Sequence, residues 1–200
     1  ADLDQVDEVQ KDVAMAHYLR GVIAFKEKEW AVAGEHLQKV LAAIPGHLQS
    51  QLLMGIISFT NQDLQIAEEY LGNVVNSMPN NAHAVKILAA TRIKLREPEK
   101  AIEVLDPLVR QQPDAQSMAL IGSAYMLKGD QEKGQEWLNR AVEESPDVAA
   151  LRTQLALTFL AGGETDKAIS ELKSAVDLGQ DILQADVLLV LAHLKNKEFE

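Results

Sequence analysis

Cysteine is absent from all 200 residues. Neither a disulfide framework nor a thiolate metal site can form, and reducing and oxidising compartments both stay open. Aromatic residues make up only 4% of the chain. Apart from Tyr70 and Phe199 they mostly fall at helical core spacing, where packing takes precedence over ligand stacking. No apolar run is long enough to span a bilayer, so this stretch is not expected to insert in a membrane. The first ten residues, ADLDQVDEVQ, are acidic where a secretory signal would be basic and then apolar. Positive charge is in deficit, with 19 Lys plus Arg against 30 Asp plus Glu and a formal charge of -11. Such a surface repels phosphate backbones, which makes nucleic acid and anionic membrane poor partners.

Catalytic constellations are missing as well. The five histidines, His17, His36, His47, His83 and His193, make neither a His-Glu-x-x-His motif nor an i,i+4 histidine pair. Adjacent acids such as Glu68 with Glu69 and Glu143 with Glu144 diverge by about 100° on a helix and suit a solvated face better than an acid/base pair. The glycines of AGGET and LKGD lack the Walker lysine and hydroxyl arrangement and suit turns. The expectation is a non-enzymatic chain with no catalytic residue, no metal and no cofactor.

What the chain does contain is a repeat. LALTFLAGGETDKAISEL at 155–172 restates IGSAYMLKGDQEKGQEWL at 121–138. Small residues recur at Gly21, Gly55, Ala89, Gly122 and Ala156, in steps of 34, 34, 33 and 34. Ala33, Ala67, Ala101, Gly134 and Ala168 follow each of these by 12 positions, and Pro45, Pro79, Pro113 and Pro146 follow by 12 more. Between markers, apolar residues such as Leu151, Leu155 and Phe159 recur at helical spacing, so each period reads as two amphipathic helices. REPE at 96–99, KGD at 128–130 and AGGET at 161–165 separate the two, and each closing proline ends the second helix. Small markers let paired backbones approach closely.

These registers place repeats at 14–47, 48–81, 82–114, 115–148 and 149–182, after the tail of a preceding repeat at 1–13 and before a partial sixth at 183–200. Residues 1–10 align with a second helix carrying Leu3 and Val6 on its apolar positions, and both ends fall inside a repeat. The expectation is one segment of a longer array. Three departures stand out. Gly179 and Gln180 replace the fifth proline, Gly134 sits inside a helix at a cost of about 1 kcal/mol, and Pro107 falls within a second helix, where a kink near Glu103 is expected.

A 34-residue helix-turn-helix period with small residues in both helices and a closing proline resembles the tetratricopeptide repeat (TPR) over the whole chain. The fold class this implies is an all-α, right-handed α-solenoid of antiparallel helix pairs. AVKILAATRIKLREPEKAIEVLDPLV (84–109), ALIGSAYMLKGDQEKGQEWLNRAVEESPD (119–147) and LRTQLALTFLAGGETDKAISELKSAV (151–176) are similar to the PEP-CTERM/exosortase system TPR lipoprotein of Gram-negative bacteria. That resemblance implies a lipid-anchored, periplasm-facing protein of the cell envelope, associated with exopolysaccharide production and protein sorting, whose signal and lipidated cysteine lie upstream. Without it, the expected location is cytoplasmic.

In the resembled fold the first helices line a concave groove. The matching positions are Tyr18, Val22 and Phe25; Leu52, Ile56 and Phe59; Lys86, Ala90 and Ile93; Ala119, Ser123 and Met126; and Thr153, Leu157 and Leu160. Most are apolar, and the larger ones lie in the first two repeats, so a protein or peptide partner is expected there. Relatives that bind chaperones clamp a terminal carboxylate with Lys, Arg and Asn. Here Tyr18, Val22, Leu53, His83 and Ile87 occupy those positions, so that clamp is absent. The implied function is a protein-protein interaction scaffold. The alternatives are the recruiting arm of a larger enzyme such as a glycosyltransferase, and self-association through exposed array ends.

Overall fold

The computed structural model describes residues 2–180 and 183–195, with side chains from residue 13 onward. It contains helices and turns only among those residues. The helices are α1 (Asp2–Lys26), α2 (Trp30–Ala43), α3 (Leu48–Thr60), α4 (Leu64–Ser77), α5 (Ala82–Lys94), α6 (Pro98–Gln111), α7 (Ala115–Lys128), α8 (Gln131–Glu144), α9 (Ala149–Ala161), α10 (Thr165–Asp177) and α11 (Leu183–Lys195). They fall into two compact units, Ala1–Leu95 and Arg96–Glu200. The boundary lies at the turn within the third repeat. In the first unit α1 pairs with α2 and α3 with α4; in the second α7 pairs with α8 and α9 with α10. This is the expected all-α, TPR-type architecture of helix pairs.

The small columns do what their spacing implies. Ala33, Ala67, Ala101 and Ala168 have no exposed surface. Four residues further along the same second helices runs a leucine column, Leu37, Leu71, Leu105, Leu138 and Leu172, each 0 or 1% exposed. Leucine fills the space that the small residue of the first helix leaves. A Cβ added at Gly55 would stand 2.6 Å from Leu71 Cγ, and one at Gly21 would stand 3.1 Å from Leu37. In the fourth repeat both markers are glycine and the backbones themselves meet. A Cβ at Gly122 would lie 3.0 Å from the Gly134 carbonyl oxygen, and one at Gly134 would lie 3.1 Å from that of Gly122. The helical glycine at 134 therefore exchanges roughly 1 kcal/mol of propensity for this approach.

The turns inside the repeats reveal a column that sequence reading passed over. Lys28, Gln62, Arg96, Gly129 and Gly163 all have positive φ, between 62° and 91°. At the end of four of these first helices a backbone N–H reaches back across the last turn: Glu29 to Ala24, Asp63 to Ser58, Asp130 to Tyr125 and Glu164 to Phe159, at 2.8 to 3.0 Å. This is the Schellman closure, which requires one left-handed residue. Glycine supplies it freely in repeats four and five, whereas Lys28, Gln62 and Arg96 adopt it against steric resistance.

One sequence expectation changes. Residues 2–10 are helical, but they extend α1 without a break instead of forming a separate second helix. Lys11 occupies the proline column there, and its N–H lets the helix continue. The packing expected of Leu3 and Val6 lies outside the described side chains. Pro107 sits within α6 as expected, and the helix runs through it to Gln111. Having no N–H, the proline leaves the Glu103 carbonyl without its intrahelical donor; both residues are exposed, so water can serve that carbonyl. Gln180, where the fifth proline was expected, has a role of its own. Its Oε1 accepts the Ala149 N–H at 3.0 Å and its Nε2 donates to the Asp147 carbonyl at 2.5 Å, which caps α9, where Val148 has no capping side chain.

Candidate functional site

In the first unit, the nine expected groove residues form half-buried strips on successive first helices. Tyr18, Val22 and Phe25 lie on α1, Leu52, Ile56 and Phe59 on α3, and Lys86, Ala90 and Ile93 on α5. Positions i, i+4 and i+7 share one helix face. Tyr18 meets His47, the cap of α3, edge-on with ring centroids 4.9 Å apart, and α3 contacts α5. Phe25 stands edge-on to Trp30 at 5.2 Å, and Lys94 Nζ lies 5.6 Å from the Phe59 ring centre. Tyr18 and Phe25 back onto the core formed by Ala24, Ala33, Leu37, Met54 and Ile57. Each aromatic ring thus has one side anchored and another open.

The second unit offers less. Met126 and Leu160 are half-buried against the core, and Leu157 is 37% exposed. Ser123 is half-buried and donates its hydroxyl to the Ala119 carbonyl of its own helix at 2.8 Å. Ala119 and Thr153 are buried, at 5% and 3% exposure, and the Thr153 hydroxyl donates to the Ala149 carbonyl at 2.9 Å. Thr153 and Ala119 are therefore corrected from groove positions to core positions. Helical spacing gives the face a residue occupies but not how deeply a neighbouring helix covers it.

Sequence reading missed a cavity of about 380 Å³ in the first unit, between α2 and α4 over α3, with Trp30 and Tyr70 in its walls. Tyr70's departure from core spacing was the signal for it. Another of about 560 Å³ lies in the second unit beside the start of α7, lined in part by Leu120 and Val148. There Asp114 and Ser117 form a reciprocal cap, and Asp114 is engaged by it.

Electrostatics are mild. His17 Nδ1 lies 2.9 Å from His36 Nδ1, so one ring carries the shared proton and the other lends a lone pair. Burial, and then the positive charges of Lys39, His36 and Arg20, hold the His17 pKa below its ordinary value, against the opposing pull of Glu35. Arg92 pairs with Glu68 at 3.2 Å and Arg152 with Glu171 at 2.8 Å, in each case tying neighbouring helices within a unit. Among the described residues no three or more His, Asp or Glu side chains gather as a metal site, and no helix is long and apolar enough to cross a membrane.

No curated protein matches the chain by sequence. Among solved structures it is similar to MamA (41-end) from Desulfovibrio magneticus RS-1, with a TM-score of 0.77 and 22% identity over 86% of this chain and 98% of that one. It is similar to TTC0263, a thermophilic TPR protein of Thermus thermophilus, with a TM-score of 0.72 and 20% identity over 90% and 99%. YrrB, a TPR protein with an unusual peptide-binding site, superposes with a TM-score of 0.73 at 17% identity over 98% and 97%. These likenesses carry the fold. Family models described as tetratricopeptide repeat match residues 2–47, 58–124 and 115–148. With the marker columns, the helix pairs and these matches in agreement, the chain belongs to the tetratricopeptide repeat family.

Proposed function

We propose that this chain is a non-enzymatic interaction scaffold that receives a protein or peptide on the first helices of its amino-terminal unit. The observation that carries this reading is the strip from Tyr18 to Ile93, in which eight of nine side chains are apolar or aromatic and all nine are half-buried. Anchored on one side and open on the other, such residues can bury further area against a partner without reorganising, which is how a few aromatic and aliphatic positions come to dominate an interface. The setting we propose is a cell-envelope exopolysaccharide and protein-sorting system of the PEP-CTERM/exosortase type, with the chain held at the periplasmic side by a lipid. The wording of residues 84–109, 119–147 and 151–176 supports it.

Affinity capture from envelope extract with wild type, Ile56→Ser and Phe59→Ala tests the scaffold reading. Partners retained by wild type and lost by both variants support it; retention by both overturns it. Mass spectrometry of the native protein tests the setting: a lipidated amino-terminal cysteine supports it, and a linked catalytic domain favours a recruiting arm of an enzyme instead.

Exposed apolar stripes favour a second reading, self-association. Met15, Leu19 and Ile23 share one face of α1 at 52 to 56% exposure, and Val187, Val190, Leu191 and Leu194 share one face of α11 at 41 to 59%. Light scattering over a concentration series tests it, with a mass that rises with concentration and falls on Leu19→Ser expected.

A further inference from the structure

The cavity between α2 and α4 is a site of a different kind from the groove. On α3, Leu52, Ile56 and Phe59 lie within about 60° of one another, whereas Ile57, Ser58 and Asn61, which line the cavity, lie about 140° to 240° away from Leu52 at 100° per residue. It opens on the other side of the helix. Its volume of about 380 Å³ is bounded by the Trp30 and Tyr70 rings and the half-exposed Ile66. Gly34 keeps the mouth clear, since a Cβ there would meet nothing within 4 Å.

The polar groups in the lining are acidic or neutral. Glu35 and Asp63 are its carboxylates, and neither Lys nor Arg lines it. Glu35 is engaged, accepting from the exposed Lys39 at 2.7 Å. Asp63 differs from its counterparts. It is the N-cap residue of α4 yet makes no side-chain cap bond, whereas Asp114 and Asp130 at other helix starts do. Beneath it Ser58, only 5% exposed, also lines the cavity. A hydroxyl oxygen on a cavity wall can accept a hydrogen bond from a ligand donor.

We infer that this cavity binds a basic side chain, a lysine or arginine presented by a partner protein. Ring faces attract cations, and carboxylates beside them add charge-assisted hydrogen bonds. The surrounding field has the right sign, with a net charge of -11 on the chain. The aliphatic stem of the incoming residue lies along Ile66, its head sits between Trp30 and Tyr70, and Asp63 and Ser58 accept its N–H groups. Anions are excluded by the same carboxylates.

The test follows the Trp30 indole N–H in nitrogen-15 correlation spectra, distinguished from that of Trp137 by the Trp30→Phe variant. The probes are a capped glycine-arginine-glycine tripeptide, its neutral citrulline twin and methyl glucoside. A saturable shift of the Trp30 resonance by the arginine peptide is expected, with the citrulline twin and Asp63→Asn each weakening binding by roughly fivefold or more. Ser58→Ala weakens it by a smaller factor, and circular dichroism shows both variants folded. No saturable shift, an equal response to citrulline, a response to the glucoside alone, or full binding by Asp63→Asn would each overturn the assignment.

Discussion

The two compact units share one frame and differ in what they mount on it. Both bury small columns against a leucine column, with Leu71 and Leu138 equally hidden at 0 and 1% exposure. At the leading groove position of the first helices, however, Tyr18 and Leu52 of Ala1–Leu95 stand half-open, whereas in Arg96–Glu200 the corresponding Ala119 and Thr153 are sealed. The turns differ as well: Lys28 and Gln62 hold left-handed backbone in the first unit, and Gly129 and Gly163 do so in the second. The deeply buried columns are therefore alike in the two units, and the units differ in the half-buried positions that the frame leaves free to vary, where the proposed binding falls.

The sharpest way to break this comparison is through the leucine column. Leu71→Ala is expected to cost about 2–5 kcal/mol in urea unfolding, because it empties a fully buried site. Adding Gly55→Ala should recover part of that loss, since the three heavy atoms nearest the new methyl all belong to the Leu71 side chain. The same exchange in the second unit, Leu138→Ala with Gly122→Ala, should recover nothing. There the methyl meets the Gly134 carbonyl at 3.0 Å and the Leu138 nitrogen at 3.3 Å, and backbone does not yield. Equal rescue in both units would show that the glycine pair of the fourth repeat is not backbone-limited.

Next in size are the groove effects. Phe59→Ala is expected to weaken a captured partner by about 1–3 kcal/mol in calorimetry with helicity unchanged, and Lys86→Ala by less than about 1 kcal/mol. In the second unit Ser123→Ala should have an effect below about 0.5 kcal/mol on the same binding, because that hydroxyl is already bonded within its own helix. Smaller still are the turns. Lys28→Gly and Gln62→Gly should each raise stability by about 0.5–1 kcal/mol by relieving left-handed strain, while Gly129→Ala and Gly163→Ala should lower it by about 1 kcal/mol.

Last comes pH, which acts on the first unit through His17 and Glu35 and on the second through Asp130. The folded His17 binds its proton more weakly than the unfolded chain does. Between its lowered folded value and the ordinary 6.5 the unfolded state holds more protons, so stability rises with pH across that window and the histidine's penalty is full below it. His17→Gln should flatten that rise. Glu35 and Asp130 act lower on the scale. Their folded values are depressed, chiefly by the hydrogen bond from the Lys39 side chain for Glu35 and from the Lys133 backbone for Asp130. Stability from these two is lost as pH falls below the carboxylate range.

Much of the fold was legible because a repeat displays the same physical requirement several times over. One glycine at 55 says little; small residues at 21, 55, 89, 122 and 156 say that something large must lie opposite. Less was legible of the features that a single residue decides. Lys11 in place of proline merges two expected helices into α1, and Gln180 in place of another caps α9 from a distant loop. Nothing in lysine, glutamine or arginine signals positive φ, so the turn column showed only through the glycines of the later repeats. At the site, spacing gave the face but not the depth. Leu52 and Thr153 read alike on a helical wheel, and it is the packing of neighbouring helices that leaves one half-open and covers the other.

The central claim, that the half-buried strip of the amino-terminal unit is the working face, is tested most directly by site-specific photo-crosslinking in envelope extract. A benzophenone amino acid placed at Phe59, and separately at the exposed Glu69 of α4, reports which face a partner occupies. The account predicts a discrete covalent adduct from position 59 that competes with unlabelled wild type, and none from 69. An adduct from 69 with none from 59 would contradict it.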